Sequence, residues 1–496
     1  MLCTLGVDVG TSSSKGVLVD QQGTLLASST MTHEVSRPRV GHVEMDANIW
    51  WSEFCAITHD LLSQVPGAEV TAVGVSGMGP CVLLTDVQGE PVRPAILYGV
   101  DTRAMDQVAA MTAQLGDQAI RDIGGSGLTS QSGGPKFVWI QENEPDVYAQ
   151  ADRFFMPASW LAFKLTGQYV LDHQSASQST PLYNVETEEW YEPWWDRFAP
   201  GIEQPNLKWA GEIAGTVTAD AAHQTGISEG TPVITGTIDA WTEAVSVGAH
   251  GVGDLMLMYG TTLFLVATVQ ETLRTPSMWT TVGAFEGTRN LAGGMATSGA
   301  LNQWFKNLMD GDYHELDRLA EESGVGARGL IMLPYFAGER TPILDPDARG
   351  VIAGLTLSHG KGDLFRAALE STALGIRHNV ETMRAAGAKI DRIVAVGGGT
   401  KGDLWLQIVS DATGLVQEVP ELTIGASYGA AFLAATATAR PGQEPDIRLW
   451  NPPEKTVVPN PENAAAYDRA FQRYLNLYQG TKNVVHELAQ EQKELL

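Results

Sequence analysis

Two strand–turn–strand segments, one in each half of the 496-residue chain, limit the folds that the chain can adopt. The first is VDVGTSSSKGVLVD (7–20), and the second is GDLMLMYGTTLFLVATV (253–269). In both, an apolar run is interrupted by glycine and hydroxyl residues, which predicts a β-hairpin with a polar turn. The elements predicted after the hairpins are a helix over 47–65 and a strand over 70–77 in the first half, and a helix over 361–387 and a strand–turn–helix over 390–414 in the second.

This repeated layout predicts an α/β protein with two domains, residues 1–248 and residues 249–496. A chain of this length is too long to fold around a single hydrophobic core of ordinary size. Hydrophobic residues make up 44% of it and charged residues 18%, which is a globular composition. The proline-rich stretch 440–463 is predicted to be irregular and to lead into a final helix from about residue 464.

The two turns have the composition of phosphate-binding loops. Backbone N–H groups and hydroxyls of such turns can point at phosphate oxygens; the residues concerned are Gly10, Thr11 and Ser12 in the first turn and Gly260, Thr261 and Thr262 in the second. Asp8 could hold a hydrated Mg²⁺, and Lys15 could offset phosphate charge. Either turn alone is as well explained by an ordinary hairpin. The pair, in matching places, favours two domains that grip one polyphosphate.

Other nucleotide-binding patterns are weak or absent in the sequence. No GxxxxGK followed by Ser or Thr occurs, and no GxGxxG follows the first strand, so P-loop and Rossmann interpretations are disfavoured. VGGGTKG (396–402) ends a predicted strand with Gly397, Gly398 and Gly399, which would let a flat ring approach the backbone. We interpret this segment as a nucleotide contact, with the small-residue helix over 425–438 as a second surface nearby. The alternative is a tight strand-to-helix turn.

Of three acidic motifs, two are candidates for catalysis or sugar binding. GTIDAW (236–241) places Asp239 between a strand and a helix, where a carboxylate could accept a proton from a sugar hydroxyl; the alternative is a helix N-cap. Asp101 and Arg103 in YGVDTRA could bind vicinal hydroxyls, and the alternative is a surface ion pair. Glu339 and Arg340 in FAGERTP are interpreted as structural, pairing with each other or with the backbone.

Charge and cysteine content exclude several classes of partner. The formal net charge of −26 disfavours nucleic acids and anionic membranes. Three cysteines without metal-ligand spacing predict reduced thiols. The first strand begins almost at Met1, no signal peptide is recognised, and the most apolar stretch is too interrupted to span a bilayer. The sequence therefore predicts a cytoplasmic protein.

Taken together, these segments resemble the FGGY family of carbohydrate kinases. The strongest marks are 7–20, KFVWIQENEPDVY (136–148), GTIDAW, YGTT (259–262), 334–355 and 396–414, all in the family's order. The resemblance implies two actin-like ATPase (ribonuclease H-like) domains around a central cleft, each with a five-stranded mixed sheet. ATP and Mg²⁺ would bind deep in the cleft, with the sugar mainly on the N-terminal domain. It also makes a homodimer plausible.

The resemblance also assigns roles to individual residues. Asp239 matches the catalytic base, Asp8 the metal- and phosphate-facing acid, and both are predicted to face the metal. Thr11 and Thr261 match phosphate-contacting hydroxyls, and Asp101 and Arg103 match the sugar-binding loop. The positions that match the adenosine site are Gly299, Gln303, Gly398 and Gly402.

One segment departs from the pattern of the xylulokinases in that family. Xylulokinases have a Gln-Met-His-Gly stretch that contacts the sugar, and here the corresponding residues are Met78-Gly79-Pro80-Cys81. Met78 and Gly79 are still expected to bind substrate, but the histidine is replaced by proline. A pentulose is favoured as acceptor, with a tetrulose or related polyol as alternatives. An actin-like ATPase without sugar chemistry and a non-catalytic sugar sensor are the competing functions.

Overall fold

Two seven-stranded mixed sheets form the centres of the two halves in the computed structural model of the protein, which describes residues 1–495. The strands of the first half are β1 (Leu2–Val9), β2 (Ser13–Asp20), β3 (Leu25–Thr32), β4 (Glu44–Met45), β5 (Glu69–Gly77), β6 (Leu83–Thr85), β7 (Ala95–Ile96), β8 (Arg153–Phe155), β9 (Val170–Asp172), β10 (Tyr183–Asn184), β11 (Glu189–Trp190), β12 (Asn206–Lys208), β13 (Ile213–Thr216), β14 (Pro232–Ile234) and β15 (Thr237–Ile238). Its helices are α1 (Ala47–Gln64), α2 (Met105–Leu115), α3 (Asp117–Gly124), α4 (Gly133–Asn143), α5 (Pro145–Tyr148), α6 (Pro157–Thr166), α7 (His173–Ser177), α8 (Glu192–Phe198), α9 (Ala219–Thr225) and α10 (Asp239–Ser246).

The second half is built in the same way. Its strands are β16 (Asp254–Tyr259), β17 (Leu263–Val269), β18 (Trp279–Val282), β19 (Arg289–Met295), β20 (Ile331–Leu333), β21 (Val351–Ala353), β22 (Arg392–Val396), β23 (Val416–Pro420) and β24 (Pro453–Val457). Its helices are α11 (Gly299–Leu308), α12 (Tyr313–Ser323), α13 (Lys361–Ala385), α14 (Asp403–Thr413), α15 (Ala426–Thr438), α16 (Ile447–Trp450) and α17 (Ala464–Glu494). The predicted boundary at 248/249 lies in the segment between α10 and β16.

The two sheets share a topology. The first has the order β13-β14-β5-β1-β2-β3, with β15 also paired to β5, and the second has the order β18-β19-β17-β16-β22-β23-β24. In each sheet the hairpin strand (β1 or β16) is antiparallel to its hairpin partner and parallel to a later strand (β5 or β22). The repeated layout is therefore present. Each sheet has two strands more than the five that the resemblance implied.

The local predictions agree with the structure wherever the pattern is strong. Both hairpins form, and α1 begins after Asp46, whose carboxylate accepts a hydrogen bond from the N–H of Asn48. The stretch 440–463 is less irregular than expected, because it contains α16 and the edge strand β24, which pairs with β23. Among residues 1–495, no helix has both the length and the apolar character needed to cross a membrane.

The two halves exchange one helix each. The apolar residues of α15, from the second half, pack on strands β2, β5 and β14 of the first sheet. The end of α10, from the first half, packs on β16, β17, β19 and β22 of the second sheet. The two helices also contact each other, because a Cβ atom on Gly429 would lie 2.1 Å from the carbonyl oxygen of Thr242. The seam between the halves is therefore a pair of crossed-over helices.

The small residues of α15 allow the backbones of the two halves to approach closely at this seam. A Cβ atom on Gly74 would lie 2.0 Å from the carbonyl oxygen of Ala430, and one on Gly6 would lie 2.0 Å from that of Ser427. Close backbone approach therefore requires glycine at both positions. The interpretation of α15 as a second nucleotide-binding surface is wrong for this stretch, since Ala430 and Ala431 are buried against the first sheet.

Candidate active site

The two acids predicted from the sequence lie at the ends of neighbouring strands. Asp8 is next to last in β1 and is paired in register with Ser76 of β5. Asp239 follows β15, whose Ile238 is paired with Gly77 of β5. Because β1, β5 and β15 are parallel, their carboxyl ends meet at one edge, as in other open α/β sheets with ligand-binding crevices. This topology brings Asp8 and Asp239 together.

Asp239 is the first residue of α10 rather than its N-cap. The cap position is Ile238, and Asp239 Oδ1 accepts a hydrogen bond of 2.7 Å from the N–H of Ala240. A carboxylate at a helix N-terminus is stabilised by the free N–H groups there. The side chain remains partly open to the cleft. It can therefore keep its helix contact and still accept a proton.

A third acid, Glu243, joins this cluster. It lies one helical turn beyond Asp239 on α10 and is partly exposed. Burial raises the pKa of Asp239 to about 6, and burial together with the Asp239 charge raises the pKa of Asp8 to about 8. Burial and Asp239 also raise the pKa of Glu243 to about 7. Sequence reasoning missed Glu243, although its i, i+4 spacing from Asp239 was visible.

The acid cluster has the chemistry of a site for a hydrated divalent cation. Asp8 Oδ1 is buried and has no hydrogen-bond partner among residues 1–495, and a cation or its water would satisfy it. Within the same residues no three acid, histidine or cysteine side chains are arranged to enclose a bare ion. Mg²⁺ usually keeps several waters and takes only one or two carboxylates, so the residues present fit that ion.

Each of the two glycine–hydroxyl turns is closed by a backbone hydrogen bond donated by its glycine, although the second turn is one residue shorter. The N–H of Gly10 donates to the carbonyl oxygen of Ser13 at 3.0 Å, and the N–H of Gly260 donates to that of Thr262 at 3.1 Å. The residues of these turns that are exposed are Ser12, Lys15, Thr261 and Thr262. Their polar groups are therefore available to a ligand from both halves of the molecule.

The first turn has a support that sequence reasoning missed. His33 Nε2 lies 3.1 Å from the carbonyl oxygen of Gly10, and His33 Nδ1 lies 2.9 Å from Glu53 Oε2. Glu53 Oε2 also accepts a hydrogen bond from Ser14. These contacts fix the turn against α1. No sequence motif joins His33 to Gly10, because β2 and β3 lie between them in the chain.

A large cavity of ≈ 910 Å³ lies in the second half. Its volume is within the range of nucleotide- and drug-sized sites. It brings together seven of the residues predicted for ATP, namely Gly260, Thr261, Gly299, Gln303, Gly398, Gly399 and Gly402. Gly397 does not line it, but has φ +92°, and a Cβ atom there would lie 2.6 Å from the carbonyl oxygen of Tyr259. Aromatic lining residues that the sequence did not indicate are Trp304, Tyr313, Phe365 and Trp405.

A smaller cavity of ≈ 220 Å³ includes Asp239 in its wall, and we call it the acceptor cavity. Both halves of the chain line it. Gly79 is in the wall as predicted, and the residues that sequence reasoning missed include Tyr98, Gln131, Gln178, Trp279 and Thr281. Tyr98 OH lies 2.9 Å from Thr11 Oγ1, so this wall is joined to the first turn.

Three residues predicted to bind sugar do not line the acceptor cavity. Met78 is 1% exposed. Arg103 Nη2 donates to Asp101 Oδ2 at 2.7 Å, and Arg103 Nη1 donates to Glu44 at 2.6 Å. Both side chains of the Asp101–Arg103 pair are fully buried, so the alternative of a surface ion pair is wrong. These three residues therefore lie behind the wall of the acceptor cavity. Their contact with sugar stays a prediction.

The interpretation of Glu339 and Arg340 as structural agrees with their contacts. Glu339 Oε1 accepts from the N–H groups of Ala296 and Arg340, at 2.7 and 2.8 Å. The Arg340 guanidinium donates to the carbonyl oxygens of Leu263 and Met295. Both side chains therefore bind the backbone that surrounds the second hairpin.

Comparison with known proteins identifies the family. The model of the N-terminal domain of the FGGY family of carbohydrate kinases matches residues 3–246, and that of the C-terminal domain matches residues 255–438. The chain belongs to this family. The predictions of the family, of two actin-like domains and of an ATP-dependent sugar kinase are confirmed.

Individual relatives extend over nearly the whole chain. Xylulose kinase of Escherichia coli (strain K12) is 28% identical over 482 residues, covering 96% of this chain and 98% of that protein. A ribulokinase of Mycolicibacterium smegmatis is 31% identical over 401 residues, covering 75% and 70%. The crystal structure of xylulose kinase from Rhodospirillum rubrum superposes with a TM-score of 0.92 at 29% identity, covering 98% of this chain and 100% of that one.

Proposed function

We propose that this kinase transfers the terminal phosphoryl group of ATP to a hydroxyl of a pentulose, with Asp239 as the general base. The observation that carries the proposal is the position of Asp239 in the wall of the acceptor cavity. Similarity to a xylulose kinase and a ribulokinase supports a five-carbon ketose. D-Xylulose itself is less favoured than other pentuloses, because buried Pro80 stands where xylulokinases have histidine.

The second glycine–hydroxyl turn and the strand that follows it contribute residues to both cavities. Thr261 lines the large cavity, and Phe264, at the start of the following strand, lines the acceptor cavity. We therefore place the phosphates between the turns Gly10–Ser12 and Gly260–Thr262. The adenosine would lie against Gly299, Gln303, Gly398, Gly399 and Gly402, with Gly397 shaping the turn that carries Gly398 and Gly399. This arrangement would present the terminal phosphorus to the acceptor.

Phosphoryl transfer needs positioning and charge stabilisation more than covalent catalysis. Asp239 would accept the proton of the attacking hydroxyl as the bond to phosphorus forms. Asp8 and Asp239 would hold hydrated Mg²⁺, which neutralises phosphate charge when bound. Lys15, exposed on β2 and paired in register with Asp8, would add to that neutralisation. Closure of the two halves would exclude water, which otherwise competes as an acceptor.

The buried pair behind the cavity wall has a supporting role in this proposal. Asp101 and Arg103 belong to the same loop as Tyr98, and Asp101 Oδ2 accepts from the N–H of Val43 at 2.6 Å. We propose that Asp101, Arg103 and Met78 hold this wall in place, while Gly79 contacts the acceptor. Residence in the cytoplasm and a homodimer are further predictions, and the homodimer derives from the family resemblance alone.

The test is a coupled ADP-release assay with Mg·ATP against a panel of ketoses, aldoses and polyols. We expect turnover with at least one pentulose, and a loss of ~10²–10⁴-fold in kcat for Asp239→Asn with ATP affinity retained. Glu229→Gln, on an exposed loop, is the control and should behave as the wild type. Undiminished turnover by Asp239→Asn would refute the base. ATPase activity that is indifferent to every sugar would favour an actin-like ATPase, and sugar binding without turnover would favour a sensor.

A further inference from the structure

The wall of the acceptor cavity contains one charged side chain, that of Asp239. None of the residues described in this wall is a lysine, arginine or histidine. A carboxylate or phosphate on the acceptor would therefore be buried beside Asp239 without a cationic partner. Burial of an unpaired charge is strongly unfavourable. The cavity thus selects against acidic and phosphorylated sugars.

The same wall contains polar atoms that have no partner. Thr281, on β18, is 4% exposed, and its Oγ1 has no hydrogen-bond partner among residues 1–495. Gln178 Nε2, after α7, is also buried and unpaired within those residues. Buried polar atoms are nearly always satisfied by a protein group, water or a ligand. Hydroxyls of an acceptor can donate to Thr281 and accept from Gln178, which apolar groups cannot do.

Strand β18 belongs to the second sheet, but hydrogen bonds to the first half of the chain hold it in place. The N–H of Thr280 donates to Ser126 Oγ at 2.8 Å, and the N–H of Val282 donates to Ser177 Oγ at 3.2 Å. Both hydroxyls come from the first half of the chain. Thr281, between these two anchors, is therefore fixed relative to the half that carries Asp239.

Aromatic rings complete the cavity. Trp241 Nε1 donates to Asn290 Oδ1 at 2.9 Å, so its N–H is engaged and its ring surface remains for the ligand. Phe264 lies between Trp241 and Trp279, with ring centroids 6.4 Å from each. Such rings pack well against the C–H groups of a sugar. They offer nothing to a charged group on the acceptor.

We infer that Thr281 and Gln178 bind hydroxyls of the uncharged acceptor, so that β18 of the second half contributes to specificity. The inference rests on the proposed function only in calling this ligand the phosphoryl acceptor. Thr281 is a specificity residue here, because it contacts the acceptor away from the phosphoryl group.

The test measures acceptor binding without ATP, through the fluorescence of the tryptophans in the wall, and then steady-state kinetics. The probes are D-ribulose, D-xylulose and an aldonic acid with five carbons. We expect Thr281→Val to raise Kd and KM for the neutral sugar by about fivefold to tenfold while KM for ATP is unchanged. Thr281→Ser should retain most of the affinity. Thr58→Val, which removes a buried hydroxyl in α1, should behave as the wild type.

The aldonic acid should bind at least about 100-fold more weakly than the neutral sugar. Equal affinity of wild type and Thr281→Val would overturn the inference, as would comparable binding of the acid or binding of neither neutral sugar. Binding that follows the expected pattern without any phosphorylation would support the inference and refute the proposed function instead. If Thr281→Val does not fold, Gln178→Met, at the second polar contact, gives the same comparison.

Discussion

The hydroxyl of Tyr98 lies 2.9 Å from Thr11 Oγ1, so one hydrogen bond joins the first glycine–hydroxyl turn to the acceptor cavity. Tyr98 is half-buried, and burial raises the pKa of its hydroxyl above the ordinary value. It therefore remains protonated near neutral pH and can donate to Thr11. The proposed sites for the two substrates are thus connected through two side chains.

Replacement of this tyrosine tests the connection. We expect Tyr98→Phe to lower kcat/KM for both ATP and the sugar by about threefold to tenfold, since one buried hydrogen bond is lost. Tyr148→Phe is a matched control, because its hydroxyl binds the carbonyl oxygen of Pro200 away from both cavities. An effect on the sugar alone would show that Tyr98 contacts the acceptor without positioning Thr11.

The pH profile should report the ionisation of Asp239. Burial raises its pKa to about 6. A base must be deprotonated, so kcat/KM for the sugar should be constant above that value and should fall as the pH decreases through about 6. The profile can be measured by ADP release at constant ionic strength. A profile that is flat down to pH 5 would contradict the assignment.

A buried lysine gives a pH-dependent stability. Lys136 is 1% exposed, its Nζ donates to the carbonyl oxygen of Leu97 at 2.7 Å, and burial lowers its pKa from 10.5 to about 8. Below pH 8 the lysine is charged in both the folded and the unfolded state. Burial of the charge then lowers the free energy of unfolding by its full amount. Between pH 8 and 10.5 the unfolded state binds more protons, so stability rises with pH. The free energy of unfolding should therefore rise relative to that of Lys136→Met by about 3 kcal/mol over this interval.

Chemical denaturation at several pH values measures this difference. Lys389→Met is the control, since it removes a lysine whose side chain is 75% exposed instead of buried. A constant difference for Lys136→Met would mean that the pKa of Lys136 is the same in the folded and unfolded states, and would contradict the prediction.

Two glycine substitutions should have opposite effects on stability. Gly74→Ala places a methyl group 2.0 Å from the carbonyl oxygen of Ala430 and should destabilise the protein by about 1–3 kcal/mol. Gly480→Ala lies within α17, and no described heavy atom is within 4 Å of the added methyl group, so it should stabilise by about 0.5–1 kcal/mol. Thermal unfolding compares the two variants directly. Equal melting temperatures would argue against a tight seam at Gly74.

Local patterns were sufficient to predict the hairpins and the position of Asp239. The alternation around residues 7–20 and 253–269 is a property of neighbouring residues, and so is the strand-to-helix change at Asp239. The parallel pairing of β1, β5 and β15 then brings Asp8 and Asp239 together. The family motifs supplied the glycines of the large cavity in the same way.

The acceptor cavity could not be predicted in this manner. Tyr98, Gln178 and Thr281 come from three separate segments, and each becomes part of the wall only through tertiary packing. The small residues of α15 were visible, but their partners, Gly6 and Gly74, lie in the opposite half of the chain. The composition of a helix shows that it can pack closely, but it does not show which other element it packs against.

The exchange of α10 and α15 makes the two halves obligate partners. A fragment ending at residue 248 would expose the faces of β2 and β5 that α15 covers, and the complementary fragment would expose the face of β16 and β22 that α10 covers. Each gene fragment expressed alone would therefore yield an aggregating polypeptide, whereas co-expression would allow reassembly of an active enzyme.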